Sequence, residues 1–176
     1  MEISVVTTIP YPLEQVFAAM RDHLPELAAY MPNVDSIVVE SREELSEHRV
    51  QLVNRWNAAK TEIPPVARPF VDASRMFWTD YADWESDLHR CSWRLKTGFM
   101  SDNVNCKGTT TYVATEADRT ELRISGMLSL DLRGLLPRFV IKRATKGVEK
   151  FVIRLVQPNF QKTADALTAY LNAQKE

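Results

Sequence analysis

The chain opens with a stretch in which apolar and polar side chains alternate, from residue 3 to residue 9. A period of two is typical of a β-strand with one buried face, so this stretch predicts the first strand. Pro12 suits the first turn of a helix, because the N–H that proline lacks has no partner there. The apolar spacing that follows predicts a helix ending near His23, and Pro25 predicts a second short helix through Ala29.

The middle of the chain alternates in the same way over six further segments, which are separated by polar turns. These segments predict strands at residues 34–41, 48–57, 75–84, 88–97, 104–115 and 121–132. Prolines interrupt segment 58–74. Because proline cannot donate to a strand ladder, this segment predicts a long loop or a short helix at the sheet edge.

The C-terminal part of the chain, residues 137–174, changes to a helical period. One face of the predicted helix 137–157 is apolar and includes Val148 and Phe151, so we expect it to pack across the sheet. Pro158 predicts a kink or a break in the helix. Beyond it the apolar stripe resumes at Phe160, Ala164, Leu167 and Leu171.

The opposite face of the same helix is basic. Its residues recur at every fourth position and are Arg138, Lys142, Lys146, Lys150 and Arg154. One interpretation is a solvated outer face whose lysine stems cover apolar surface. The other is docking onto an anionic membrane, where each basic residue near the surface contributes about 1 kcal/mol.

Composition narrows the class of protein. A length of 176 residues, with 45% hydrophobic and 26% charged residues, predicts one ordinary globular domain. A net charge of -1 gives no general reason to bind nucleic acid. The two cysteines, Cys91 and Cys106, are too few for a disulfide framework, and no signal peptide or membrane-spanning run is evident, so we expect a cytoplasmic location.

The common catalytic and cofactor motifs do not occur in the chain. Its three histidines are not in an HExxH arrangement, so no metal site is expected. Neither GxxxxGK[ST] nor GxGxxG occurs, so no nucleotide or other cofactor is expected. The absence of GxSxG removes support for a serine nucleophile.

Folding each strand pair about its predicted turn places residues of four strands on one apolar face. The predicted rows set Tyr81 opposite Cys91, Gly108 opposite Leu128, and Trp93 opposite Gly108, where a large ring covers bare glycine backbone. Small residues beside aromatic rings favour a concavity, so we interpret this face as the wall of a ligand cavity. Its candidate ligand-binding residues are Phe77, Tyr81, Trp93, Thr110, Tyr112, Gly126 and Leu128, together with Val148 and Phe151 of the helix. The other face, with Trp78, Arg94, Lys107, Arg123 and Asp131, is predicted to be solvated.

The same register predicts a polar row of Asp83, His89 and Tyr112 on the apolar face. A carboxylate can orient an imidazole and raise its pKa, and a phenol can share the proton, which would suit acid–base chemistry on a bound carbonyl compound. The simpler interpretation is that these side chains, near a hairpin end, hydrogen-bond to one another or to water.

The order of elements, together with Ile9-Pro10-Tyr11-Pro12-Leu13-Glu14-Gln15-Val16-Phe17 and the segment from Met31 to Ile37, resembles the START-like helix-grip superfamily (SRPBCC). That superfamily includes lipid-transfer domains, polyketide cyclases and birch-pollen-allergen-type proteins. The resemblance implies an α+β helix-grip fold. In this fold a curved seven-stranded antiparallel sheet surrounds a long C-terminal helix, with two short helices between the first two strands.

The resemblance also implies a function, although a fold hosts several. We expect non-catalytic binding or transfer of a lipid-like or polycyclic molecule in a cavity between the sheet and the C-terminal helix. The alternative is a cyclase, dehydratase or isomerase acting on a polyketide- or steroid-like substrate through Asp83, His89 and Tyr112. A third interpretation is an interaction module with a filled core.

Overall fold

The computed structural model describes residues 1–59, 76–98, 102–131 and 161–175. Its elements are β1 (Glu2–Ile9), α1 (Leu13–Asp22), α2 (Leu24–Leu27), a 3-10 turn (Ala28–Tyr30), β2 (Val34–Ser46), β3 (Arg49–Ala58), β4 (Phe77–Glu85), β5 (Arg90–Thr97), β6 (Val104–Glu116), β7 (Arg119–Leu130) and α3 (residues 161–173). Most of segment 58–74 lies outside the described residues. So does the predicted helix 137–157, with Val148, Phe151 and the basic face.

The seven strands form one antiparallel sheet with the order β1-β7-β6-β5-β4-β3-β2. All seven predicted strands are confirmed. The clearest difference is that β2 continues beyond Ser41 to Ser46, through a stretch predicted to be a turn. The side chains of this stretch show no apolar alternation, because they are exposed on both faces. The stretch is part of the sheet through its pairs with β3.

One face of the sheet, which we call the core face, carries the buried side chains. Phe17 of α1 lies on this face, with its ring centroid 5.3 Å from those of Trp84 and Tyr112. Within α3, Ala164, Leu167 and Leu171 are buried, as the apolar stripe predicts. Tyr170 of α3 stacks on His23 at a centroid distance of 5.9 Å, which fixes α3 beside the short helices.

The β4–β5 hairpin differs from the predicted register in a way that matters for the site. Glu85 pairs with Arg90, and the connecting loop has four residues, 86–89. Tyr81 therefore lies opposite Arg94 and not Cys91. A displacement by three positions is odd, so every β4 side chain moves to the other face of the sheet.

The physical cause lies in the loop. His89 adopts a φ of 43°, in the left-handed region that non-glycine residues rarely occupy, and it belongs to the loop, so that β5 begins at Arg90, two residues later than predicted. Two hydrogen bonds from Arg90 to Glu85, at 2.9 and 2.7 Å, then join the strand ends that close the loop.

The remaining registers preserve the predicted faces. Trp93 pairs with Gly108, as predicted, and Cys91 pairs with Thr110. Between β6 and β7 the pairing is displaced by two positions, so that Gly108 lies opposite Gly126 and not Leu128. An even displacement leaves each side chain on its own face, and Leu128 remains on the core face, where it is buried.

Candidate functional site

The predicted row of Asp83, His89 and Tyr112 does not form. Asp83 lies on the outer face, where Arg49 donates two hydrogen bonds to its carboxylate at 2.9 and 2.6 Å and Gln51 donates a third at 3.1 Å. The hydrogen bonds from Arg49 hold the pKa of Asp83 below its usual value. A carboxylate held ionised in this way serves as an ion-pair partner for Arg49 and does not orient His89.

His89 and Tyr112 are both near Phe17 but have different surroundings. The Nε2 atom of His89 lies 2.8 Å from Oε1 of Glu14, an exposed carboxylate on α1. Tyr112 is buried, and burial raises the pKa of its hydroxyl well above the usual value. His89 therefore links the end of the β4–β5 hairpin to α1, and it does not share a proton with Asp83 and Tyr112.

Two of the predicted cavity residues lie, like Asp83, on the face opposite to the predicted one, because the β4–β5 register is displaced by three positions. Phe77 and Tyr81 lie on the outer face, where Arg55 stacks over the ring of Phe77 at 3.7 Å and Arg94 over that of Tyr81 at 4.3 Å. Trp78, predicted to be solvated, lies instead on the core face and stacks on Trp56. The odd displacement exchanges the two sets of β4 residues.

The other predicted residues of the sheet remain on the core face, whereas Val148 and Phe151 lie outside the described residues; the space expected beside the glycines is filled. Trp93, Thr110, Tyr112 and Leu128 are buried there, and Trp93 donates a hydrogen bond from Nε1 to Thr110 Oγ1 at 3.1 Å. A Cβ on Gly108 would meet Cζ2 of Trp93 at 2.6 Å. The expected concavity beside Gly108 and Gly126 is therefore occupied by the ring of Trp93.

A polar pair, the fully buried Asn54 and the partly buried Asp80, occupies the core face where β3 meets β4. The two residues are direct cross-strand partners, and Nδ2 of Asn54 lies 3.4 Å from Oδ2 of Asp80. Asn54 is fully buried. Among the described residues, Oδ1 of Asn54 and Oδ1 of Asp80 are closed off from solvent and have no hydrogen-bond partner.

Indole donors extend this polar region. Nε1 of Trp56 and Nε1 of Trp84 are also buried without a partner in the part of the chain that the structure describes. Trp56 stacks on Trp78 with centroids 5.5 Å apart and ring planes 21° apart, next to Asn54 and Asp80 along their strands. The surface thus combines flat aromatic walls with a few buried hydrogen-bonding groups, a composition typical of small-molecule sites.

Burial raises the pKa of Asp80 to about 7, and the hydrogen bond from Asn54 opposes that rise. A carboxyl group in this environment populates both its acid and its carboxylate form near neutral pH. Burial also raises the pKa of the Cys91 thiol well above its usual value and that of Cys106 to about 11, so both remain neutral thiols. Among the described residues of the core face, Asp80 is thus a group that can change its protonation state near neutral pH.

The sequence did not predict that Asp80 faces the core, because both alternating sets of β4 residues contain aromatic side chains that could be buried. One set of alternating β4 residues contains Trp78, Ala82 and Trp84, and the other contains Phe77, Thr79 and Tyr81 and is the more polar, but each set contains two aromatic residues. Each set also contains one aspartate, Asp80 in the first and Asp83 in the second. Only the length of the β4–β5 loop decides between them.

The outer face carries a shallow groove of about 590 Å³. It is lined by Glu2, Tyr81, Ser92, Arg94, Lys107, Thr109, Ser125 and Met127, with Trp93 and the backbone of Gly108 and Gly126. Its lining is short hydroxyl side chains between longer charged ones. Within the described ranges, no group of His, Cys, Asp and Glu could hold a metal ion. None of the helices described is long and apolar enough to cross a membrane.

Comparison with solved structures identifies the fold. The chain is similar to the crystal structure of TTHA0849 from Thermus thermophilus, with 21% identity, full coverage of both chains and a TM-score of 0.69. It is also similar to the Zhui aromatase/cyclase from Streptomyces sp. R1128, with 16% identity over 100% of this chain and 96% of that one, at a TM-score of 0.67. A START superfamily protein from Mycobacterium smegmatis matches with 12% identity over 98% of both chains, at a TM-score of 0.59.

These matches define the chain as an α+β protein of the START-like helix-grip class, as the resemblance implied. At such identities they establish the fold alone. No curated protein matches the chain. A family model matches residues 1–172, and the chain belongs to the polyketide cyclase/dehydrase and lipid transport family.

Proposed function

We propose that the chain acts as a single domain that binds an apolar small molecule carrying at least one hydroxyl or carbonyl group. One observation carries the proposal, namely the buried and unpartnered polar atoms of Asn54, Asp80, Trp56 and Trp84 among the described residues. Buried polar groups are nearly always hydrogen-bonded, and each one that lacks a partner costs about 1–3 kcal/mol. A ligand that supplies those partners recovers this free energy.

The surroundings of these atoms support an apolar body for the ligand. The stacked rings of Trp56 and Trp78 offer a flat wall, and Leu52 and Ala82 are buried on the core face beside the polar pair. Because Trp93 fills the space over Gly108 and Gly126, we place the ligand over β3 and β4 and not over β6 and β7. Membership of a cyclase/dehydrase and lipid transport family agrees with a molecule of this kind.

Catalysis is the second candidate function, because one buried group can titrate near neutral pH. The pKa of Asp80, which burial raises to about 7, is the observation that supports this candidate. The trio of Asp83, His89 and Tyr112 cannot provide that chemistry, since Asp83 is paired with Arg49 on the outer face.

A cytoplasmic location remains part of the proposal. Cys91 and Cys106 are both free and buried, which agrees with a reducing compartment but does not require one.

The binding proposal is tested by comparing two ligands of the same shape. 2-Naphthol has a hydroxyl group where 2-methylnaphthalene has a methyl group, so their difference in affinity reports the hydrogen bond net of the cost of removing the hydroxyl group from water. Displacement of N-phenyl-1-naphthylamine, followed by fluorescence, gives both dissociation constants. We expect the parent protein to bind 2-naphthol about tenfold more tightly, the equivalent of one net hydrogen bond.

Asn54→Leu should reduce this preference to about twofold or less, because it removes a buried amide at the site. Gln51→Leu is the matched control, since Gln51 is an exposed amide on the opposite face of the same strand. Equal affinities for the two ligands in the parent protein would contradict the role of the polar atoms. No saturable binding of any of the three compounds would contradict the binding function itself.

A further inference from the structure

We propose that the groove on the outer face of the sheet, which we call the outer groove, binds the phosphate group of a small phosphate monoester through Arg94 and Lys107. The groove lies on the opposite side of the sheet from the core face, so this inference does not rest on the binding function proposed above. Its volume of about 590 Å³ falls within the range of small-molecule sites, which is roughly 300–1,000 Å³.

Arg94 differs from the other arginines that the structure describes. Each of the others lies within 4.0 Å of a carboxylate oxygen, and they are Arg21, Arg42, Arg49, Arg55, Arg90, Arg119 and Arg123. Arg94 has no carboxylate partner within the described ranges, and its guanidinium lies over the ring of Tyr81 at 4.3 Å. An exposed guanidinium that a ring holds in place, with no acid beside it, is suited to binding an oxyanion.

Lys107 places a second positive charge beside Arg94. The two residues are direct cross-strand partners, and the Cβ atoms of such partners lie about 4.5–5.5 Å apart, where like charges destabilise a sheet. No carboxylate in the described part of the chain pairs with Lys107. Glu2, the acid that lines the groove, lies two strands away in the same row, beyond Met127. A bound dianion offsets the repulsion, and a phosphate monoester carries nearly two negative charges at neutral pH.

Hydroxyl groups form the floor of the groove next to these charges. Ser92, Thr109 and Ser125 are consecutive cross-strand partners on β5, β6 and β7, in the row two residues along from the charged pair. None of the three hydroxyl groups has a hydrogen-bond partner among the residues that the structure describes. A hydroxyl group can donate to a phosphate oxygen, so the floor adds donors to the two cations.

Met127 offers an apolar surface for the organic part of the ester. It is the direct partner of Lys107 on β7 and is 52% exposed. At the other end of the groove, the guanidinium of Arg94 already covers one face of Tyr81. We therefore place the phosphate group between the two cations and the organic group over Met127.

Isothermal titration calorimetry with phenyl phosphate at pH 8 tests the site, because this probe is then a dianion. We expect saturable binding that weakens as the salt concentration rises. Arg94→Gln and Lys107→Gln should each weaken binding about tenfold or more, because each removes a charge-assisted contact. Arg123→Gln is the matched control and should stay within about twofold of the parent, because Arg123 is exposed on the same face but pairs with Glu121 at 2.6 Å. Absence of saturable binding by the parent protein would overturn the proposal.

Thr109→Val tests the floor, because it keeps the shape of the side chain and removes its hydroxyl group. It should weaken the binding of phenyl phosphate about fivefold, the equivalent of one net hydrogen bond. Thr8→Val is the control, since Thr8 is an exposed threonine of β1 that does not line the groove, and it should stay within about twofold of the parent. Equal losses in the two variants would contradict the role of the floor.

Further ligands identify the anion. Inorganic phosphate lacks the organic group and should bind about threefold or more weakly than phenyl phosphate, and benzoate carries a single charge and should bind about tenfold more weakly. Equal affinity for inorganic phosphate would overturn the assignment of an ester, and equal affinity for benzoate would overturn that of a dianion. Phosphatidic acid vesicles present the same group on a lipid. Vesicle binding that Arg94→Gln abolishes, without binding of phenyl phosphate, would overturn the small-molecule source.

Stability provides an independent readout. In a buffer without phosphate, Lys107→Gln should unfold at a urea concentration equal to or above that of the parent protein, because it removes one of two adjacent like charges. Phenyl phosphate should raise the urea midpoint of the parent and leave that of the double variant Arg94→Gln/Lys107→Gln unchanged. A lower midpoint for Lys107→Gln would show that this lysine stabilises the sheet and would overturn its assignment to a ligand.

Discussion

A Cβ atom on Gly126 would lie 2.8 Å from Cη2 of Trp93. The absence of a side chain at this position is therefore what allows the indole ring to lie against β7. Gly108, the direct partner of Trp93 on β6, makes the same allowance, so a row of one tryptophan and two glycines crosses three strands. This row belongs to the packed core. We therefore place the candidate ligand site over β3 and β4, on the other side of β5.

Substitutions at the two glycines should have separable effects on stability. Gly126→Ala should cost about 1–3 kcal/mol in the free energy of unfolding, because the new methyl group overlaps the ring of Trp93. In a double-mutant cycle with Trp93→Leu, the combined loss should be smaller than the sum of the two single losses. Gly108→Ala should be relieved less, since its Cβ overlaps the backbone carbonyl oxygen of Ser125 more closely than a Cβ on Gly126 overlaps that of Lys107, which lies 2.9 Å away.

Urea unfolding measures these losses, with Ser125→Ala on the outer face of β7 as the control, for which a change within about 0.5 kcal/mol is expected. A neutral Gly126→Ala would show that space remains beside the ring, and the site would then have to be extended over β6 and β7.

The stability of the folded protein should depend on pH through Asp80. Its folded pKa of about 7 lies above the ordinary value of 3.8, so the folded state binds the proton more tightly than the unfolded state. The free energy of unfolding therefore falls as pH rises between these values. The whole fall is about 4 kcal/mol, of which about 2 kcal/mol is lost between pH 5.5 and pH 8. Asp80→Asn should remove that part of the slope.

Urea unfolding of the parent protein and the variant at several pH values checks this prediction. Asp83→Asn is the control, because the lowered pKa of Asp83 contributes stability that is lost only at lower pH, as the pH falls through that pKa. An identical slope in the parent protein and Asp80→Asn would mean that Asp80 is ionised in the folded state at all of these pH values.

The C-terminal helix should contribute to stability through its apolar stripe. Leu167 is fully buried, so Leu167→Ala should cost about 2–5 kcal/mol in the free energy of unfolding. Gln161→Ala, at an exposed position of α3, should change it by less than about 0.5 kcal/mol.

From the sequence we expect Phe151→Ala, in the predicted helix 137–157, to cost about 3–5 kcal/mol in the free energy of unfolding. A loss below about 1 kcal/mol would place the apolar face of helix 137–157 in solvent.

The basic face of the predicted helix 137–157 should bind anionic membranes if it docks the protein. Sedimentation with vesicles should then require an anionic lipid and weaken as salt rises, because ions screen each charge. Charge reversal at Lys146 and Lys150 should abolish binding, whereas reversal at Lys96, on β5 of the sheet, should leave it intact. Equal binding to neutral and anionic vesicles, or binding to neither, would return this face to an ordinary solvated role.

The sequence by itself determined the order of elements and most of the faces. A period of two predicted all seven strands, because burial on one side requires alternation whatever the neighbouring strand is. The pairing of Trp93 with Gly108 was also predictable, since a large ring and a bare backbone complement each other across two strands.

Only the tertiary structure decided which aspartate faces the core. Each face of β4 carries two aromatic residues and one aspartate in sequence, so the aromatic positions alone could not choose between Asp80 and Asp83. The choice was made by the four-residue loop in which His89 takes a positive φ, and by the packing of Trp84 against Phe17 of α1. Register depends on contacts between distant segments, and a displacement by an odd number of residues exchanges the two faces completely.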